Sequence, residues 1–315
     1  MADLESTRVE YCKTLLALGR ENPHIVALDA DLSGSTQTHL FAREFPERFF
    51  NLGVAEQDLM GTAAGLAVGG KIPFASTFAM FATGRAWEQV RQTIAYGKLN
   101  VKIVASHGGV TVGEDGGSHQ AIEDLALMRI LPNMAVLVPA DGPEARAMTR
   151  WAAAYQGPVY MRTGRMPAPV IYDDAHRFEL GRGSILREGG DVTLIGVGVM
   201  VHACLEAAAL LAGQGIAARV VNMSCLKPLD WELVVESARR TGAMVTAEEH
   251  MITGGLGSAV CEVLGEFHPA PVARLGIRDT FGISGKPSLL LNHFGLTADN
   301  VVNAAHQVMA RKGKL

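Results

Sequence analysis

Nearly half of the 315 residues are hydrophobic, yet no uninterrupted apolar run is long enough to cross a bilayer, which takes about 20 consecutive apolar residues. The opening Met-Ala-Asp-Leu-Glu lacks the basic and apolar regions of a secretory signal, so a cytoplasmic protein without a membrane partner is expected. Cysteine is scarce: Cys12, Cys204, Cys225 and Cys261 lie far apart with no Cys-x-x-Cys spacing. That argues against a zinc site and a disulfide framework, and the four read as small buried hydrophobes. Positive charge is not in excess. A net charge of -4 and a pI near 6.2 disfavour nucleic acid as a partner, and the closing Arg311-Lys-Gly-Lys314 reads as a solvated tail. Low-complexity tracts and short-period repeats are absent. The dinucleotide fingerprint is missing too: Gly196-Val-Gly-Val-Met-Val201 has Val at the sixth position, where a small residue is needed for helix packing, and reads as a plain strand-to-helix turn.

What the chain does have is a regular alternation of short β-rich runs with longer Ala/Leu-rich stretches. Candidate strands are Ile25 to Leu28, Val101 to Ala105 and Ala135 to Val138, the pattern of βαβ units in a mostly parallel sheet. After Arg162 the texture changes to Thr-Gly-Arg-Met-Pro-Ala-Pro169 and then Asp173-Asp174, an exposed linker. A second series begins at Val192 to Val197, with helices near Val201 to Ala212 and Trp231 to Thr241 and strands near Arg219 to Val221 and Ala243 to Ala247. The expectation is an α/β protein of two doubly wound domains, residues 1–165 and 186–315, joined by a linker at 166–185.

Asn51-Leu-Gly-Val-Ala-Glu-Gln-Asp58 places one carboxylate, Glu56, at the mouth of an apolar helix, after an expected buried strand from Phe49 to Val54. In low dielectric such a group is suited to sharing a proton with a ring nitrogen. Downstream, Ser76-Thr-Phe-Ala-Met-Phe81 offers two rings three residues apart, which on one side of a short helical turn would stack against a planar heterocycle. The plainer alternative is that Glu56 caps its helix and both Phe are core. Between an expected strand ending at Ala105 and a helix from Ala121 to Ile130, Ser106 to Gln120 packs two His, Glu114-Asp115 and five Gly into one loop. Loops at the carboxyl ends of strands are where α/β sheets bind ligands. His250 reads as structural.

These three motifs, in this order and spacing, resemble the pyrimidine-binding domain of transketolase, a thiamine diphosphate enzyme, over most of residues 7 to 165. The similarity to that family's C-terminal domain beyond is weaker. The resemblance implies that Glu56 hydrogen-bonds the cofactor's aminopyrimidine, that Phe78 and Phe81 hold the ring with Phe81 the direct stacking partner, and that Asp31 is an acid near the cofactor at a subunit interface. His119 would stand beside the reacting carbonyl and Asp115 would bond a sugar hydroxyl. Arg8, Ser35, His107 and Arg162 would bind the phosphate of a sugar phosphate. The sequence departs from the pattern at Gly117-Ser118, and at Gly84-Arg85, where an aromatic is common; Arg85 is expected to alter pocket polarity.

The family's Gly-Asp-Gly metal motif is missing, with only Glu114-Asp-Gly116 and Ala140-Asp-Gly142 approaching it, so this chain is expected to supply no metal ligand. The resemblance therefore implies half an enzyme. A separate large N-terminal subunit would carry the diphosphate-binding domain and hold Mg²⁺ or Ca²⁺, in an α2β2 heterotetramer. The small residues Gly61, Ala63, Ala64, Gly65 and Ala67 in the helix Leu59 to Val68 suit a subunit contact. The implied reaction is transfer of a two-carbon ketol unit between sugar phosphates. Alternatives are a 1-deoxyxylulose-5-phosphate-synthase-like subunit, which usually has Asp-Arg where Ser106-His107 stands, a 2-oxoacid dehydrogenase β-type subunit, and a non-catalytic scaffold.

Overall fold

The computed structural model describes residues 3–312; Lys314 of the expected tail lies outside them, while Arg311 and Lys312 are exposed. The chain builds two α/β sheets. The first has seven strands, in spatial order Cys225–Lys227, Ala135–Leu137, Val159–Arg162, Lys102–Ser106, Ile72–Phe78, Ile25–Asp29 and Phe49–Asn51. All pairs are parallel except the one made by Cys225–Lys227. The second has five, in the order Val272–Ile277, Met244–Met251, Val192–Gly196, Ala218–Asn222 and an antiparallel edge, Ser184–Arg187. Their central strands are buried along their whole length, as strands covered by helices on both faces must be.

Helix boundaries follow capping chemistry. Asp141 accepts the Glu144 N–H at 2.9 Å to open Gly142–Ala154, with Pro143 in its first turn. Asp230 does the same for Trp231–Thr241, which Gly242 ends in the left-handed region at φ 66°.

Four expectations change. Phe49 opens an edge strand of only three residues, partly exposed, rather than a buried one reaching Val54. The helix near Ala121 shortens to Asp124–Arg129, because the residues before it are drawn into loop contacts. Cys12, Cys204 and Cys225 are buried, but Cys261 only partly. The linker is not a free boundary: Ala168–Pro169 pairs with Leu4–Glu5, and Cys225–Lys227 crosses from the second half of the chain to extend the first sheet. No helix among the described residues is long and apolar enough to cross a membrane.

Candidate active site

The candidate residues lie where the strands of the first sheet end. Asp29 closes its strand fully buried, and its carboxylate accepts from the Leu32 N–H at 2.5 Å and the hydroxyls of Thr36 and Thr38 at 2.7 and 2.9 Å. Burial pushes this carboxyl up and the three hydrogen bonds pull it back. The result is a fixed loop carrying Asp31 and Ser35. Asp31 is exposed at φ 63°, and its N–H and carboxylate both meet the Asn51 side chain, at 3.0 and 3.3 Å. Ser35 presents its carbonyl to Arg8 Nη1 at 2.5 Å.

Glu56 opens the helix Glu56–Val68 with a side chain 1% exposed. Phe78 ends its strand and Phe81 begins a π-helical turn, Phe81–Arg85. Sequence spacing suggests one helical turn for both rings. The strand end and the wider turn bring them together instead, stacked at 5.9 Å with planes 12° apart. Phe78 is buried and Phe81 partly open, so Phe81 is the face offered to a ligand. Arg85 donates to Glu56 Oε2 at 2.8 Å, and its guanidinium lies 4.8 Å from the Phe81 centroid.

His107 follows its strand at φ 61°, a conformation that costs a non-glycine residue about 1–3 kcal/mol and clusters at functional sites. Its ring stacks on Phe78 at 3.8 Å, and Nδ1 meets Ser106 Oγ at 2.8 Å. Burial, then Arg8, Arg165 and His119, push the imidazole down to about 3, so it is neutral at physiological pH. His119 stands edge-on to Phe81 at 5.5 Å and contacts Ser118 Oγ at 2.9 Å. Residues of all three sequence motifs thus meet around two phenylalanine rings, Glu56 through Arg85.

Arg162 does not join them. It is buried, with Nη2 donating to the Glu249 carbonyl at 2.8 Å and Nε 3.6 Å from Asp124 Oδ2. The guanidinium is engaged at the contact between the two halves of the chain, where it lines a small pocket with Thr7, Gly108 and Glu249. Arg165, three residues on, lies on the side of Arg8 and the 106–120 loop instead. Its Nη1 donates to the Val112 carbonyl at 2.5 Å and lies 3.4 Å from Asp115 Oδ1, and it is near enough to Arg8 to help lower that guanidinium, after burial itself. Arg8 Nε is buried without a partner among the described residues. Two guanidiniums and a neutral imidazole lie near one another with one donor unpaired, groups whose N–H donors suit an anion.

The glycines of the 106–120 loop serve close packing. A Cβ at Gly109, itself at φ +80°, would lie 2.2 Å from the Glu249 carboxyl carbon, and one at Gly117 2.5 Å from the Gly282 carbonyl oxygen. Gln120 Nε2 donates to Val110, Gly113 and Ile283 carbonyls at 3.2, 3.3 and 2.9 Å, and Ser284 to the Glu114 carbonyl at 2.7 Å. The second half of the chain therefore clamps the loop that carries Asp115 and His119. His250 is fully buried, with Nδ1 2.7 Å from the Met251 carbonyl.

A carboxylate beside a part-open phenyl face fits the aminopyrimidine of thiamine diphosphate. No group of three or more His, Cys, Asp or Glu side chains converges among the described residues.

Comparison with known proteins gives concordant matches. Residues 6–169 match the transketolase pyrimidine binding domain and residues 181–301 the transketolase C-terminal domain. A protein of Methanocaldococcus jannaschii described as a transketolase C-terminal section is 49% identical over 97% of this chain and 96% of its own length. A 6-deoxy-6-sulfo-D-fructose transketolase subunit of a Clostridium species is 47% identical over 97% and 95%. Among solved structures, a split gene transketolase described as an inactive beta4 tetramer superposes with a TM-score of 0.92 at 58% identity, over 98% of this chain and 99% of that one. Transketolase from Campylobacter jejuni gives 0.82 at 26% identity, and there this chain spans 96% of itself but 46% of its counterpart.

Proposed function

Because the chain belongs to the transketolase family, we propose that it is the pyrimidine-binding half of a two-chain transketolase, moving a two-carbon ketol unit between sugar phosphates with thiamine diphosphate. The observation that carries this is the convergence of the Phe78, Phe81, His107 and His119 rings, with Arg85 bridging the Phe81 face to the Glu56 carboxylate. When bound, the cofactor supplies a nucleophilic ring carbon and an electron sink for the two-carbon unit. Glu56 shares a proton with the pyrimidine nitrogen, and Phe81 fixes the ring plane. His119 orients the donor's hydroxyl and moves a proton at the reacting carbonyl. Asp115 accepts from a sugar hydroxyl, Asp31 lies near the cofactor at a subunit interface, and Arg8, Ser35, His107 and Arg165 bind the terminal phosphate.

Three observations support a separate large subunit holding the diphosphate and its Mg²⁺ or Ca²⁺. They are the missing Gly-Asp-Gly, the relatives of equal length described as sections or subunits, and the chain's span of about half the Campylobacter jejuni enzyme. Self-association of the small chain within an α2β2 assembly is supported by the open face of Glu56–Val68. A Cβ at Gly61 or Gly65 would meet nothing there, so this small-residue face is open to close approach by a second helix, and Val54 and Val68 near its two ends are 73% and 75% exposed. Guanidinium and imidazole donors serve a sulfonate as they do a phosphate, so a terminal sulfonate is a second reading, favoured by the name of the Clostridium relative.

Ketol transfer from a ketose phosphate to an aldose phosphate is expected only when this chain is mixed with a chain bearing Gly-Asp-Gly. Full activity of the isolated chain would refute the two-chain reading. The anion site makes its own prediction. With an ordinary histidine value of 6.5 in the unfolded chain and about 3 in the folded one, His107 refuses a proton that the unfolded state takes up. Folding stability from this residue is therefore lost as pH falls from 6.5 toward 3. Millimolar inorganic phosphate should offset the two arginines and raise the His107 titration, read by NMR of its ring protons. A midpoint near 6.5 that ignores phosphate would remove His107 from the anion site.

A further inference from the structure

Arg85 touches both groups that the cofactor ring needs. Its guanidinium is planar, rich in N–H donors and cationic; it donates to Glu56 Oε2 at 2.8 Å and lies 4.8 Å from the centroid of Phe81. A protonated aminopyrimidine presents the same chemistry to the same two partners: an N–H to the carboxylate and a flat face to the phenyl ring. Phe81 and Arg85 begin and end one helical turn, four residues apart and therefore on the same side of it. The ion pair is asymmetric, with the Glu56 side chain 1% exposed and that of Arg85 50% exposed. The carboxylate is fixed in the protein while the arginine reaches it from the solvent side and is free to leave.

We propose that Arg85 is a placeholder for the pyrimidine. In the chain without cofactor its guanidinium occupies the Glu56–Phe81 cradle, keeping the buried carboxylate paired, and thiamine diphosphate enters by displacing it. This rests on the cofactor reading above and adds to it a competition within the chain. Because a ligand's apparent affinity falls with the fraction of protein in the open state, the ion pair weakens cofactor binding, and most of all in the chain that lacks the diphosphate and metal contacts of the large subunit.

The test is binding, read by calorimetry, of thiamine diphosphate with Mg²⁺ to the assembled complex and of thiamine to the small chain alone, for wild type and Arg85→Ala. With the placeholder removed, affinity should rise about tenfold, as for loss of one partly exposed charge-assisted contact, and more clearly for the small chain than for the complex. NMR of the arginine Nε–H groups gives a second reading: the Arg85 signal should move from a restrained to a mobile state as thiamine is added to the wild type. Equal or weaker binding by Arg85→Ala, or an Arg85 signal that stays restrained at saturation, would overturn the proposal and make Arg85 a residue that holds Glu56 in place beside the cofactor. Absence of binding by wild type and variant alike, in the complex as well as in the small chain, would instead remove the cofactor reading and this proposal with it.

Discussion

Glu56→Gln in the assembled enzyme is expected to slow hydrogen exchange at the thiazolium C2 of bound thiamine diphosphate by about 10²- to 10⁴-fold, the usual worth of a positioned general acid-base group. Glutamine keeps the length and shape of the side chain, so the helix Glu56–Val68 and the packing around it are retained. What it loses is the ability to hold and release a proton at the pyrimidine nitrogen. The substitution also removes the charge that Arg85 meets at 2.8 Å. Cofactor occupancy therefore has to be measured beside exchange, so that a failure to bind is not taken for a failure to react. Near-normal exchange at full occupancy would return Glu56 to the plainer role of a buried residue at a helix start.

Much of this cleft was legible because each motif sits at the end of its own strand, and parallel strands deliver their ends to one edge. The run at 101–105 needed only that rule to place His107 at the same edge as Phe78, which ends Ile72–Phe78; Glu56 arrives there at the start of the helix that follows Phe49–Asn51. Arg162 was not legible. The strand Val159–Arg162 is buried at every position, so no alternation indicates which residue turns inward. The acids that claim Arg162 come from Asp124–Arg129 and Met244–Met251, segments remote from it in sequence. Arg165 emerges beyond Gly164, whose N–H bonds Thr7 Oγ1 at 3.0 Å; a basic residue just past a strand-end glycine was the available signal. The strand Cys225–Lys227 is too short to show a period. The π-turn is a change of backbone hydrogen bonding that leaves no trace in residue type; the meeting of Arg85 and Glu56 joins two segments 29 residues apart and was invisible, although Arg85 itself stood out as a departure. Asp29, which organises the Asp31 and Ser35 loop, announced itself only as an acid before a Ser/Thr-rich segment.

The two arginines near the end of that strand should part company on substitution. Arg162→Ala is expected to destabilise the folded chain by about 3–5 kcal/mol, the cost of removing one partner from a buried ion pair. It would leave the Asp124 carboxylate without its cation, held only by the Tyr160 hydroxyl at 2.7 Å and with one oxygen unpaired among the described residues, beside the Glu249 carboxyl, which burial pushes up and Arg162 pulls down. Arg165→Ala removes a partly exposed side chain and should leave stability within about 1 kcal/mol. It should lower kcat/KM for phosphorylated donors by roughly ten- to a hundredfold, equivalent to about 1.5–3 kcal/mol for a charge-assisted contact, and change little for a small unphosphorylated donor such as hydroxypyruvate. Denaturant unfolding of the small chain and steady-state kinetics of the complex with both donors separate the two. If Arg162→Ala unfolds like the wild type and selectively loses phosphorylated donors, the buried arginine turns outward when substrate binds, and the anion site belongs to it. Equal losses with both donors for Arg165→Ala would mean that its contact with Asp115 and the Val112 carbonyl only holds the glycine-rich loop in place.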